Sequence, residues 1–372
     1  MGKILINLSV VFSQPTGISN YATNLVPYLQ SLQPTLLTAK DYSYPDFNCY
    51  SIPNNLTPAQ GTKGHLSRLW WTQFQLPKIC HNLKSQLLFS PLPEAPLYNR
   101  FPHVVTVHDV IPLRFPKRFS PLTPYHRYYI PEVLKQAKHI ICNSVATARD
   151  VTDFFSIEAN KVTPIPLAYD ANRFKFPQTS HQQNSSSQDS PPANNSQYFI
   201  YIGRQDPHKN VHRLIKAFAG LTYKKDYQLW IAGSTDKRYT PHLQQLATEL
   251  GIGGQVKFFN YVSAKELPHM ISQAVALVFP SLWEGFGFPV LEAMACGTPV
   301  ITSNISSLPE VAGDAAILID PYNRNEITAA METLASDRQL RSHLSQKGLE
   351  QASKFTWDKT GKATAEILSR FI

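Results

Sequence analysis

Short apolar runs recur along the chain, separated by stretches in which apolar residues return every three or four positions. In the first half the runs are residues 3–12, 87–90, 104–108 and 139–143; between the first two, Ile18, Tyr21, Ala22, Leu25, Val26 and Leu29 have helical spacing. In the second half the runs are 198–203, 228–232, 256–259, 275–279, 299–302 and 316–319, with helical patterns at 211–219, 242–250 and 264–273. Runs this short and this uniformly apolar predict strands buried on both faces. Their alternation with helices predicts parallel sheets covered on each side. The fold class that follows is α/β, two Rossmann-like doubly wound domains. Ligands of such sheets bind at the carboxyl ends of the strands, and two such edges could face each other across a cleft.

Composition locates the joint. Residues 178–197 are almost all Gln, Ser, Asn, His and Pro, with no large aliphatic side chain. Such a segment buries too little apolar surface to offset its ordering entropy. It reads as a linker or loop between a first domain, 1–177, and a second, 198–372, whose last helix is a candidate to pack back on the first. A chain of 372 residues suits two domains at roughly 150 residues each. With 43% hydrophobic and 16% charged residues it has material for two cores, so wholesale disorder is excluded.

Charge divides unevenly. Residues 1–177 hold 17 Lys and Arg against 9 Asp and Glu; residues 178–372 hold 18 against 17. An excess confined to one half predicts an anionic partner surface there. The four cysteines stand far apart with no C-x-x-C pair, which gives neither a zinc site nor a disulfide framework and fits a reducing compartment. No apolar run approaches the ~20 residues of a membrane span. The opening run is interrupted by Asn7 and lacks a small-residue cleavage site, so a buried strand is the better reading than a signal peptide. Gly2 is present, but Ile6 stands where a myristoylation signal needs Ser or Thr. The expected location is cytoplasmic, with peripheral contact to the membrane face.

The segment 280–300, Pro280-Ser-Leu-Trp-Glu284-Gly285-Phe286-Gly287-Phe-Pro289-Val290-Leu291-Glu292 to Gly297-Thr-Pro-Val300, carries the clearest chemistry. A strand runs into a loop with two glycines, Pro289 suits a helix start and Gly297 a helix end. Loop glycines admit a ligand close to backbone N–H groups, and a helix N-terminus favours phosphate. Glu284 in the loop and Glu292 in the first helical turn could hold two parts of one extended ligand. On spacing alone, a capping Glu292 and a solvated Glu284 remain equally open.

This segment resembles the Glu-x₇-Glu motif of retaining nucleotide-sugar glycosyltransferases, family 4, with the GT-B fold. The likeness continues through 303–313, through Tyr201-Ile-Gly203-Arg204-Gln-Asp206-Pro-His208-Lys209-Asn210, and through Thr106-Val-His108-Asp109-Val-Ile-Pro112. It is dense over 198–320, patchier before, and leans towards mannosyltransferases of bacterial polysaccharide assembly. The resemblance implies that Glu284 meets the donor sugar, supported by the N–H groups of Gly285, Phe286 and Gly287. Glu292 would bind the ribose, and Val290 and Leu291 would offer N–H groups to the diphosphate. Arg204 and Lys209 would stabilise the departing diphosphate in place of a metal; no D-x-D occurs in the chain, and His208 stands where the family often has Arg. His108, which by itself also reads as a core histidine, would face the donor sugar. Gly17 would receive the diphosphate from the opposite side of the cleft, although Thr16-Gly17 replaces the family's paired glycines. Asn260-Tyr261-Val262, ahead of a helix at about Ser263, would hold the base by backbone groups.

Two basic, aromatic clusters complete the first half: Lys63, His65, Arg68, Trp70, Trp71, Phe74, Lys78 and Lys84, then Arg114, Lys117, Arg118, Arg127, Tyr128 and Tyr129. A solvated helix face and a membrane or lipid-linked acceptor surface stand level as readings, with Arg68, Trp70, Trp71, Lys78, Lys117 and Arg118 as the acceptor candidates. No nucleic-acid module is visible, so a nucleic-acid partner is not expected. The expected activity is retaining, metal-independent and cofactor-free transfer from a nucleotide sugar, GDP-mannose first and a UDP-hexose second, to a saccharide or lipid-linked hydroxyl. Front-face attack is favoured over a covalent intermediate. The alternatives are a catalytically silent sugar- or nucleotide-binding subunit and another GT-B enzyme such as an epimerase.

Overall fold

The computed structural model describes residues 3–12, 17–39, 42, 44–57, 60–98, 101–117, 120, 122–176 and 197–372. It divides into two compact units, Met1–Ala168 with Phe355–Ile372, and Tyr169–Lys354. Residues 169–176, grouped with the first domain on sequence, belong to the second unit; the Phe176 ring lies against Gly297 there. Of the Gln/Ser/Asn/Pro-rich stretch 178–197, all but Gln197 lies outside the described residues.

The first unit is built on a seven-stranded parallel sheet: β1 (Ile4–Asn7), β2 (Thr35–Ala39), β3 (Asn48–Ile52), β4 (Leu87–Ser90), β5 (His103–Val107), β6 (His139–Cys142) and β7 (Val162–Pro164). Its order is β3-β2-β1-β4-β5-β6-β7. The first apolar run stops being a strand at Asn7, because the Asn7 carboxamide accepts the Ser9 N–H at 3.1 Å and turns the chain. The following helix, Gly17–Leu25, passes into a 3₁₀ segment, Val26–Leu32, at Pro27. A proline lacks the N–H that an α-helix continuing through it would use.

The C-terminal helix Trp357–Ser369 is an integral part of this unit. Thr360 Oγ1 donates to the Pro166 carbonyl at 2.8 Å. Gly361 sits so close to Tyr28 that a Cβ there would lie 2.2 Å from the Tyr28 Cβ.

The second unit has a six-stranded parallel sheet: β8 (Gln197–Ile202), β9 (Tyr227–Ala232), β10 (Val256–Phe259), β11 (Ala276–Phe279), β12 (Val300–Ser303) and β13 (Ile317–Ile319). The order is β10-β9-β8-β11-β12-β13. In each sheet the chain reverses its direction of travel once, between β1 and β4 and between β8 and β11. Crevices open at such points, just beyond the carboxyl ends of the strands. Helices predicted at 242–250 and 264–273 form at Thr240–Glu249 and Leu267–Ser272.

Candidate active site

The loops leaving β8 and β11 meet at the reversal point of the second sheet, and they carry Lys209 and Glu284. Lys209 Nζ donates to both carboxylate oxygens of Glu284, at 2.7 and 2.8 Å. The pair is mostly shielded, with side-chain exposures of 17% and 10%. The ammonium also stands 5.7 Å from the centre of the Phe279 ring, at the end of β11. Its third N–H is not used by Glu284, so the site can present one charged donor to an anion.

Each loop is fixed by buried polar groups that the sequence reading did not single out. Asn210 is fully buried in the left-handed conformation, φ +64°. Its amide donates to Pro280 O at 2.9 Å and Pro321 O at 2.7 Å, which ties the Lys209 loop to the Glu284 loop. Leu282 N–H donates to His208 O at 2.7 Å, a second tie between them. Ser307 Oγ donates to the carbonyls of Glu284 (3.0 Å) and Phe286 (2.7 Å), and Glu284 N–H donates to Ser306 Oγ at 3.3 Å. The only sequence signal for these serines was their place in the 303–313 likeness. Ser281 Oγ and Gln205 Nε2 are buried with no partner among the described residues, so both retain hydrogen-bonding capacity at this edge.

Arg204 follows β8 but does not join the Lys209–Glu284 pair. Its Nε is 3.0 Å from Asp206 and its side chain is 70% exposed. Its carbonyl accepts from the Tyr201 hydroxyl at 2.7 Å. Burial, with the nearby Glu284 and Asp206 charges, holds that phenol well above the ordinary tyrosine range, so it serves as a neutral donor. The β8 and β9 ends run very close here: a Cβ on Gly233, at φ +152°, would sit 2.1 Å from the Gly203 carbonyl oxygen.

After β11, Gly285, Phe286 and Gly287 are all buried. Gly287 caps the helix Phe288–Ala295 at φ +117°, a conformation that side chains resist. Val290 and Leu291 N–H groups already donate to Gly287 O, at 3.1 and 3.3 Å. The expectation that they offer free N–H groups therefore needs correction. The helix closes its first turn on them, and Phe288 is the first-turn N–H left, since Pro289 has none. Glu292 is the fifth residue of this helix, in the second turn and not the first. Burial pushes its carboxyl up to about 8; Arg173 pulls it down and Asp170 raises it. It is thus a carboxyl able to donate as well as accept near neutrality. Val262 is half-buried, and the helix expected at Ser263 starts at Leu267. Ser263 and Glu266 cap the intervening turn reciprocally at 3.2 Å.

In the first unit, His108 follows β5. Its Nε2 is 2.9 Å from Pro91 O, in the loop after β4, so that nitrogen carries the proton and Nδ1 is left as acceptor. Burial lowers its pKa, opposed by that carbonyl and by Asp109. Asp109 Oδ1 accepts Ile111 N–H at 3.0 Å, a purely structural turn bond. Gly17 opens the first helix and is exposed, while Thr16 lies outside the described residues.

The acceptor cluster is partly overturned. Arg68 is buried, with Nε 2.7 Å and Nη2 2.9 Å from the fully buried Glu94. Burial alone would raise Glu94, but the guanidinium overrides it and holds the carboxyl below its usual range. Tyr125 adds a hydroxyl bond to Glu94 at 3.0 Å. Arg68 is therefore a core ion pair and presents no charge to a partner. Trp71 is likewise buried, at 3% exposure. Trp70, Lys78 and Lys117 are exposed, and Arg118 lies outside the described residues.

Known proteins resemble this chain in sequence and in fold. Residues 182–351 match the family described as Glycosyl transferases group 1, and residues 15–173 match Glycosyltransferase Family 4. The O-antigen chain mannosyltransferase B of Escherichia coli is 37% identical over 163 residues, 43% of this chain and 42% of that protein. The O-antigen chain mannosyltransferase RfbU of Salmonella typhimurium is 32% identical over 231 residues, 62% of this chain and 60% of that protein. The matched stretches thus span less than two thirds of these relatives. Among solved structures, sucrose-phosphate synthase of Thermosynechococcus elongatus superposes with a TM-score of 0.74 at 18% identity, over 99% of this chain and 98% of its own. WaaG, a glycosyltransferase involved in lipopolysaccharide biosynthesis, gives 0.70 at 16%, over 98% and 99%. Anabaena Alr3699/HepE, in complex with UDP and glucose, gives 0.72 at 19% over the full length of both. The fold is GT-B.

Proposed function

Because the chain belongs to the group 1 glycosyl transferases of glycosyltransferase family 4, we propose that it moves a hexose from a nucleotide sugar to a hydroxyl of a saccharide or lipid-linked acceptor in polysaccharide assembly, with retention at the anomeric carbon. The observation that carries this reading is the Lys209–Glu284 pair at the β8/β11 reversal point, followed by the helix bearing Glu292.

In this reading the bond from C1 to the diphosphate oxygen breaks as the acceptor oxygen bonds to C1 on the same face. The acceptor proton passes to a phosphate oxygen of the leaving diphosphate. Charge grows on that diphosphate, and fixed cations stabilise it as it forms. Lys209 supplies one held in place by Glu284, and Arg204 an exposed one that can close on the anion. The Phe288 N–H at the helix start adds a backbone donor. Glu284 would meet the donor sugar and Glu292 the ribose hydroxyls.

The donor we infer is GDP-mannose, supported by the mannosyltransferase names of the relatives; a UDP-hexose is second. A thermal-shift screen of nucleotide sugars tests this. A donor at 100 times its Kd stabilises by about 2.7 kcal/mol. GDP-mannose should raise the melting temperature and UDP-glucose should not. A shift with UDP-glucose alone overturns the donor; no shift with any nucleotide sugar overturns the reading.

A further inference from the structure

The helix Gly61–Phe74 buries one face and leaves the other without a partner. Gly64, Arg68, Trp71 and Thr72 point into the unit. On the opposite side Leu66, Trp70 and Phe74 are 61%, 57% and 53% exposed. Together with Lys63 they fall within about 80° of helical arc. The Trp70 and Phe74 rings pack on each other with centroids 5.5 Å apart, so they form one apolar ridge. A groove beside it, lined by Pro53, Leu56, Leu66, Trp70 and Trp71, widens that surface. Scattered exposed apolar residues are ordinary; three large ones in a row on one helix face are not.

Charge identifies what covers the ridge. Between Asp46 and Glu94 the chain has no carboxylate, only Lys63, Arg68, Lys78 and Lys84. Arg68 is neutralised internally by Glu94, and the three lysines are exposed. An apolar ridge containing Trp, with Lys63 on the same helical face and no exposed carboxylate in the stretch of chain around it, matches the interface of an anionic bilayer: the rings enter the headgroup boundary while ammonium groups meet phosphates. Self-association through this face would bring the same lysines against each other. Among the described residues no helix is long and apolar enough to cross a membrane, so this contact is peripheral.

We propose that the Leu66–Trp70–Phe74 ridge, with Lys63 on its own helical face and the exposed Lys78 of the next helix, Leu76–Asn82, seats the first unit on an anionic phospholipid surface. The test is co-sedimentation of the full chain with vesicles of 70% phosphatidylcholine and 30% phosphatidylglycerol, against phosphatidylcholine alone. The parent should bind the anionic vesicles and release at high salt. Trp70→Ser/Phe74→Ser should weaken binding at least about ten-fold, and each of Lys63→Gln and Lys78→Gln about five-fold. Should the double variant fold poorly, brominated-lipid quenching of the parent's tryptophan fluorescence gives the same answer. Trp70→Phe should abolish most of that quenching. The proposal is overturned if the parent ignores anionic vesicles, or if the ridge variant binds as the parent does. It is equally overturned if Trp70→Phe leaves quenching intact, or if sedimentation shows a dimer that Phe74→Ser dissociates.

Discussion

Breaking the Lys209–Glu284 pair from either side should be costly, and breaking it from both sides less costly than the two separate losses added. At 2.7 Å, and with an effective dielectric of about 20, the attraction is on the order of 6 kcal/mol. Desolvation of the two ions offsets much of it, so the pair's net contribution is small. The single variants Lys209→Met and Glu284→Gln behave differently, because each strands a shielded partner. Fully buried cases lose about 3–5 kcal/mol. With 17% and 10% exposure here, about 2–4 kcal/mol is expected for each. The double variant strands neither ion, so it should fall short of the summed losses by about 2 kcal/mol or more. The pair lies wholly within the second unit, so its stability is best read locally in that unit. Hydrogen exchange in peptides spanning β8 and β11, read by mass spectrometry, reports the second unit alone. Additive losses across the three variants would refute the coupling. All three should also cut transfer by several kcal/mol of transition-state stabilisation, whatever their stability.

Asn210 gives a graded series. Asn210→Gly keeps the φ of +64° and loses three carboxamide bonds, two donated to Pro280 O and Pro321 O and one accepted from Arg213; Asn210→Ala adds about 1–2 kcal/mol of left-handed strain, so exchange in β8 should be fastest for Ala. Acid should loosen the first unit. His65, His103, His108, His126 and His139 all have lowered pKa, burial being the first cause in each. Unfolded histidines take up protons that the folded unit refuses, so stability falls as pH drops from about 6.5 through the folded values. Glu292 has the opposite sign, its raised pKa adding stability at low pH that is lost as pH rises toward about 8. Exchange corrected for intrinsic rates should therefore speed up from pH 7 to 5 in β4–β6, and less, or not at all, around the helix Phe288–Ala295. Sugar transfer should persist in a chelator, since Arg204 and Lys209 supply the cationic charge; strict dependence on Mg²⁺ or Mn²⁺ would contradict this.

The apolar runs revealed most inner strands, because a parallel strand covered on both faces is apolar throughout; the inner strand β2 was missed, since Thr35 and Thr38 break the apolar run of Thr35–Ala39 although every residue of it is buried. β3 escaped notice for the converse reason: in Asn48–Ile52 only Ile52 is buried. β7, at the other edge, ends in Pro164 and is only partly covered. At the site, spacing pointed to Glu284 and Glu292 as a pair, yet the side chain that holds Glu284 is Lys209, 75 residues away. Arg68 looked like a partner-facing cation because its counter-ion, Glu94, lies on a loop that local pattern cannot bring near. Long-range electrostatic pairing is thus the layer that sequence periodicity leaves blank.

The return of the helix Trp357–Ser369 to the first unit has a consequence for how the protein is made. Synthesis runs at about 5–20 residues per second, so the ~190 residues of the second unit take on the order of 10–40 s. For that time the first unit stands without the helix that Tyr28 and Pro166 receive. The surface around Tyr28 is exposed until the last stretch emerges, while the second unit is already whole. The unit begun first is the one finished last. A nascent chain stalled before Phe355 would thus carry a complete second unit beside an open first one, a state in which holding chaperones would find their target at Tyr28.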